Sequence, residues 1–127
     1  MIQAGATAAI AFTTDEAATA IALGSGDVPV LGTPKVIALC EEAACAAIAG
    51  GLPGGSTTVG THIAVDHLAA TAVGGTVTAS ATLTHVENRK LMFSVSVIEG
   101  DATVARGTHT RFIVDRAKFL STVDGDG

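Results

Sequence analysis

Two side chains in this sequence can do acid–base chemistry if folding brings them together, Glu41 and His67. Glu41 lies in TPKVIALCEEAACAAI, residues 33–48, where Lys35, Glu41 and Glu42 carry the only charges. A segment apolar nearly all round reads as a buried helix. At about 100° per residue, Lys35 and Glu42 fall within roughly 20° of each other, on an edge shared with Ala38 and Ala49. Glu41 instead lies among Ile37, Ala44, Cys45 and Ile48. A carboxylate there loses hydration, which raises its pKa unless a partner or water offsets the loss. The ordinary alternative is a Glu that reaches the rim and stays solvated.

From residue 57 the apolar period changes from 3.6 to two. Over 57–69 the alternation places Thr61, Ile63, Val65 and His67 on one face, with Asp66 on the other. Alone, an inward histidine reads as a core residue. With a carboxylate entering the same sheet–helix interior, it becomes half of an acid–base pair suited to hydrolysis. His62 alternates outward, His85 stands near a strand end, and His109 follows an expected bulge, so its facing stays open. No His, Cys, Asp or Glu spacing matches a metal site, and Gly50-Gly51 and Gly74-Gly75 read as turns.

The elements that must position these groups follow from the same patterns. Residues 4–13 read as a first strand, and Asp15-Glu16 opens a short helical piece to about Ala22. Residues 24–32 (GSGDVPVLG) form a loop. Thr33 reads as the N-cap of the long helix and Pro34 as its first residue; the helix runs to about Ala49 and stops at Gly50-Gly51, with Pro53 beyond. Strands follow at 57–69, 75–87, 90–99 and 102–114, the last bulged near Gly107. Glu87-Asn88-Arg89 and Gly100-Asp101 are tight turns. The tail from about residue 121, ending VDGDG, reads as frayed and too poor in ligands for a calcium loop. An antiparallel sheet with one apolar face needs a cover, and the long helix is the element available. The expected fold is therefore α+β, a five-stranded antiparallel sheet wrapped around one central helix, the hot-dog arrangement. Residues 1–127 read as a single domain.

Composition excludes several classes. Twelve Asp+Glu against seven Lys+Arg give a net charge of −5, the wrong sign for a whole-domain nucleic-acid binder. Hydrophobic residues make up 48% of the chain, enough for a core, yet no uninterrupted apolar run is long enough for a membrane span. No basic stretch precedes an apolar one at the N-terminus, so no secretory signal is expected. Cys40 and Cys45 point about 140° apart on a helix and cannot pair with each other. Two lone thiols fit the reducing cytoplasm and small buried side chains.

The segments LGTPKVIALCEEAACAAI, TVGTHIAVDHLAATAVGGTVTASATLTHVENRKLMFSVSV and ARGTHTRFIVDRAKF resemble the fluoroacetyl-CoA thioesterase family over roughly residues 30–119. The likeness rests on a Thr opening the helix, a Glu eight residues later and a His in the VxH strand before Ala-Ala-Thr: Thr33, Glu41 and His67. It implies hydrolysis of an acyl-CoA by a homodimer with its sites at the subunit interface, without a cofactor beyond the coenzyme A of the substrate. It also implies that Gly60 offers its N–H to the thioester carbonyl and that Arg111, in GTHTR, is a basic substrate-binding group. Members selective for fluoroacetyl groups resemble one another in an aromatic lid before the Thr. Here GSGDVPVLG has no Phe or Tyr, so a short or medium acyl-CoA is the expected substrate.

In that reading Glu41 attacks the thioester or activates water, His67 moves the proton, Thr33 hydrogen-bonds the reacting groups and Gly60 polarises the carbonyl. A continuous helix sets Thr33 and Glu41 about 12 Å apart. They therefore meet through a helix break, through substrate or water, or across a dimer interface. The competing readings are a non-catalytic dimeric binder of acyl or small apolar ligands, and an enoyl-CoA hydratase-like enzyme. The second ranks lower because no helix-borne Asp/His pair is present.

Overall fold

The computed structural model describes residues 2–124. Five strands form one sheet: β1 (Thr7–Thr13), β2 (Ser56–His67), β3 (Thr76–Glu87), β4 (Lys90–Glu99) and β5 (Ala102–Asp115). Their order is β1-β3-β4-β5-β2, and all neighbours are antiparallel. The long helix α2 (Thr33–Ile48) lies on the inner face, over β1 and β3 most closely. This is the hot-dog arrangement expected from the pattern. No helix among the described residues is long and apolar enough to cross a membrane.

The core forms where the alternation placed it. Val77, Ala79, Ala81 and Leu83 of β3 and Leu91, Phe93, Val95 and Val97 of β4 are buried against Val36, Leu39, Cys40, Ala43, Ala44 and Ile48 of α2. The alanines on both partners let helix and sheet approach closely, a matter of side-chain volume at fixed packing density. Lys35 and Glu42 stay on the outer edge of α2, with the Lys35 ammonium 4.5 Å from the centre of the Phe12 ring.

Some details depart from expectation. The N-cap of α2 is Gly32, not Thr33, and no side chain caps this end. A Cβ on Gly32 would lie 3.1 Å from the Ala20 backbone, in the short helix α1 (Ala20–Leu23). Bridges Thr19–Leu31 and Val30–Ala72 clamp this entry segment from both sides, so close packing rather than capping chemistry selects the residue. A further helix, α3 (Arg116–Ser121), forms between the last strand and the tail, in a stretch to which the sequence pattern assigned no element. Asp115 caps it, accepting the Lys118 N–H at 2.9 Å; residues 125–127 of the VDGDG tail lie outside the described residues. Cys40 is buried and Cys45 exposed. Burial, with Glu41 next to it in sequence, pushes the Cys40 thiol up to about 11.

The bulges fall elsewhere than near Gly107. The β4–β5 register shifts between Val97 and Ile98, leaving Val104 as the extra residue. Gly107 pairs regularly with Val95 and Val65. Its glycine has another cause, since a Cβ there would run into the Ala64 carbonyl of β2. A second shift, between Gly60 and His62, leaves Thr61 as the extra residue of β2. That bulge turns Gly60 inward while Ile63, Val65 and His67 keep the inward face, and Thr61 leaves the row the alternation gave it. Substituting Gly107→Ala is expected to cost about 1–3 kcal/mol through the forced separation of β2 from β5, read as a lowered urea midpoint with faster amide exchange at Ile63–Val65.

Candidate active site

The helix and the β2–β5 pair bring the expected residues into two clusters about two turns of α2 apart. At its N-terminal end, Thr33 Oγ1 lies 2.8 Å from His67 Nδ1. Since Gly32 takes the cap position, the Thr33 hydroxyl is free for this bond. His67 Nε2 is buried without a hydrogen-bond partner among the described residues. The pair borders a cavity of about 340 Å³. Ala20, Val28, Val30, Leu31, Leu68 and Ala69 supply aliphatic wall around it, and Asp27 is the one acidic residue on the lining.

The second cluster surrounds Glu41. Arg111, 7% exposed, donates Nη1–H to Glu41 Oε2 at 3.3 Å. Its remaining edge is tied to β2, Nε–H to Thr58 Oγ1 at 2.9 Å and Nη2–H to the Thr58 carbonyl at 3.1 Å. His109, 1% exposed, fills the space beneath. Its Nδ1 is 2.7 Å from the His62 carbonyl and its Nε2 is 3.2 Å from Arg111 Nη1. A carbonyl only accepts, so Nδ1 carries the hydrogen, and Nε2 accepts from the guanidinium. The ring stacks on Phe93, centroids 6.0 Å apart.

Gly60 makes this crowding possible. A Cβ at residue 60 would stand 2.7 Å from Glu41 Oε2, 3.1 Å from His109 Cε1 and 3.2 Å from Arg111 Nη1. The Glu41 side chain is 41% exposed, so it is both partnered by a cation and hydrated. Both sequence readings of Glu41 are therefore partly met.

Within one chain Glu41 and His67 engage different partners, and no hydrogen bond or ion pair joins them among the described residues. Helix α2 is continuous from Thr33 to Ile48, which removes a helix break as the way to join Thr33 to Glu41. His109 is the participant that sequence reasoning left unplaced. Its signal was the two-residue spacing in THTR: once Gly107 is not a bulge, His109 and Arg111 must share a face.

Burial and the adjacent Arg111 cation lower the His109 pKa below the ordinary imidazole range, outweighing the opposing pull of the His62 carbonyl and Glu41. The unfolded chain therefore binds a proton near pH 6.5 that the folded chain refuses. Stability from this site is full above that pH and falls as the solution is acidified through it. Urea midpoints at pH 7.5 and 5.5 should show this loss in the parent protein and a shallower slope in His109→Asn.

The family described as fluoroacetyl-CoA-specific thioesterase matches residues 14–117. The fluoroacetyl-CoA thioesterase of Streptantibioticus cattleyicolor is 39% identical over 94 residues, covering 74% of this chain and 68% of that protein. A solved fluoroacetyl-CoA thioesterase structure superposes with a TM-score of 0.93 at 31% identity, covering 100% of this chain and 98% of that one. A thioesterase superfamily member from Thermus thermophilus shares the fold, with a TM-score of 0.88 at 22% identity over 96% of this chain and 90% of its own.

Proposed function

The chain belongs to the fluoroacetyl-CoA-specific thioesterase family and is a thioester hydrolase; from that premise we propose that it cleaves a short or medium acyl-CoA in sites shared by two copies of the chain. The observation that carries this reading is the division of the machinery along one edge strand. Glu41 packs against Gly60 at one place on β2, and the Thr33–His67 pair holds the strand's end. Strand β2 is an outer strand of the sheet, so one row of its backbone groups is open to pairing with a second chain.

The bulge allows a register that joins the two clusters. A two-fold axis through Ala64 sets Ile63 opposite Val65 of the partner subunit and His62 opposite Asp66 of the partner subunit. Because Thr61 is the extra residue, the same axis sets Gly60 opposite His67 of the partner subunit, both facing inward. Glu41 then shares a site with His67 of the partner subunit. The outward pair joins an acid to an imidazole, which favours the register.

The chemistry assigns each group a task. Glu41 either attacks the thioester carbonyl, giving an anhydride that water then hydrolyses, or draws the proton from the water that attacks; the Gly60 N–H donates to the developing oxyanion, and coenzyme A leaves as the thiolate. His67 takes up and returns the proton through Nε2, which requires the hydrogen on Nδ1 and Thr33 Oγ1 as its acceptor. Arg111 pairs with the Glu41 carboxylate and meets the anionic substrate. No cofactor enters beyond coenzyme A as part of the substrate. The aliphatic cavity beside Thr33, bordered by an exposed loop free of Phe and Tyr, supports an alkyl acyl group in place of selection for fluoroacetyl. Two free cysteines support a cytoplasmic setting.

Thiol release from an acyl-CoA panel should fall about 10²–10⁴-fold in both Glu41→Ala and His67→Ala, with folding retained. Mixing the two inactive variants and allowing subunit exchange should restore about a quarter of the parent activity, because each mixed dimer holds one intact site. Sites built within one chain would give no restoration. Ligand binding with no thiol release from any acyl-CoA would leave a binder, and enoyl-CoA conversion without thiol release a hydratase.

A further inference from the structure

The carboxylate that hydrolysis depends on is held by a cation, and that cation is itself held from three sides. Thr58 takes two of the Arg111 donors, through its hydroxyl at 2.9 Å and its carbonyl at 3.1 Å. These bonds leave Nη1 turned inward, between Glu41 Oε2 at 3.3 Å and His109 Nε2 at 3.2 Å. His109 lies 3.9 Å from Glu41 Oε2, too far for a hydrogen bond of its own. It therefore reaches the carboxylate only through Arg111.

We propose that His109 is a positioning residue of the active site, a neutral imidazole that binds the bulged strand through Nδ1–H and fixes Arg111 toward Glu41 through its Nε2 lone pair. The proposal rests on the thioesterase reading above for its kinetic consequences, but not for its geometry. The first bond reaches the His62 carbonyl, the residue that follows the bulge at Thr61, so it sets where Gly60 comes to lie. The second supplies an acceptor at the guanidinium nitrogen nearest Glu41. One ring thus ties the oxyanion donor, the cation and the carboxylate into a single arrangement. Its stacking on Phe93 of β4 keeps the ring plane from turning.

Proton binding to this ring reverses the arrangement. A protonated Nε2 becomes a donor facing the donor Nη1, and a second cation stands beside Arg111. The charged or titratable groups that act on the ring are Arg111 on its own strand, Glu41 on α2 and, from the outer face of β2, His62. Glu41 favours the protonated ring, whereas Arg111 and His62 oppose it. Burial opposes it as well, which keeps the acceptor available into mildly acidic solution.

Two substitutions separate the ring's two bonds. His109→Gln places an amide oxygen near the position of Nε2 and gives up the bond to His62. His109→Asn places an amide nitrogen near Nδ1 and gives up the acceptor for Arg111. We expect His109→Asn to lose kcat about 10- to 100-fold at nearly unchanged KM, and His109→Gln to lose unfolding stability with a kcat loss several-fold smaller than that of His109→Asn. Equal loss of kcat in both variants, tracking equal loss of stability, would reduce His109 to a core residue and overturn the proposal. So would full kcat in His109→Asn. Nitrogen-15 NMR of the parent protein decides the geometry without reference to activity: a neutral ring protonated at Nδ1 is expected at pH 7, and an Nε2-protonated or doubly protonated ring overturns it. Failure of the parent protein to release coenzyme A from any acyl-CoA would instead refute the thioesterase reading and leave the NMR result to judge His109.

Discussion

A guanidinium buried beneath a sheet needs an anion, and in this chain the anion comes from the central helix. Arg111 is almost inaccessible, and Thr58 and His109 satisfy its donors without neutralising it. Among the described residues only Glu41 supplies the opposite charge. Burying such a cation alone costs several kcal/mol, so the ion pair ties the helix to the β2–β5 pair, while apolar packing sets it against β1 and β3. The same requirement explains Gly60. A side chain there would occupy the space in which carboxylate, guanidinium and imidazole meet, and those three groups cannot separate without leaving a charge unpaired.

The ion pair also accounts for the incomplete appearance of the site in one chain. A carboxylate committed to Arg111 halfway along α2 cannot reach a histidine at the helix's first turn. The rise of 1.5 Å per residue holds the two apart, and the unbroken helix offers no way around it. In the proposed pairing of two copies, the two groups meet at the strand edge, where the bulge at Thr61 changes the facing of Gly60 relative to His67. Without that extra residue Gly60 would face outward, and self-pairing of β2 could not align it with an inward His67. A one-residue irregularity thus decides whether two half-sites can combine.

Much of the architecture was legible before any coordinate. The switch from a 3.6 to a 2 period separated helix from sheet, and the rows Val77–Leu83 and Leu91–Val97 became the core because apolar alternation leaves a strand only one face to bury. Thr33, Glu41, His67, Gly60 and Arg111 were all singled out, two by their misfit with apolar surroundings and the rest through family likeness. Three features stayed hidden. The cap of α2 went to Gly32 because the Ala20 backbone packs against it, and local cap propensity carries no term for a distant neighbour. The bulges moved because a glycine marks either a kink or a close approach, and Gly107 turned out to be the second. His109 stayed unplaced because its facing depended on where that bulge lay.

What the sequence by itself determined was the set of elements, the buried row on each, and the two residues too polar for their rows. Periodicity and side-chain chemistry are local properties, and a linear string records them fully. What only the tertiary structure decided was which polar group meets which. Strand order, a slip of one residue and the depth of an arginine determine those meetings, and they depend on contacts between segments as far apart as Glu41 and Arg111. The energy of those contacts comes from desolvation and approach distance, neither of which is set until the chain has closed around them.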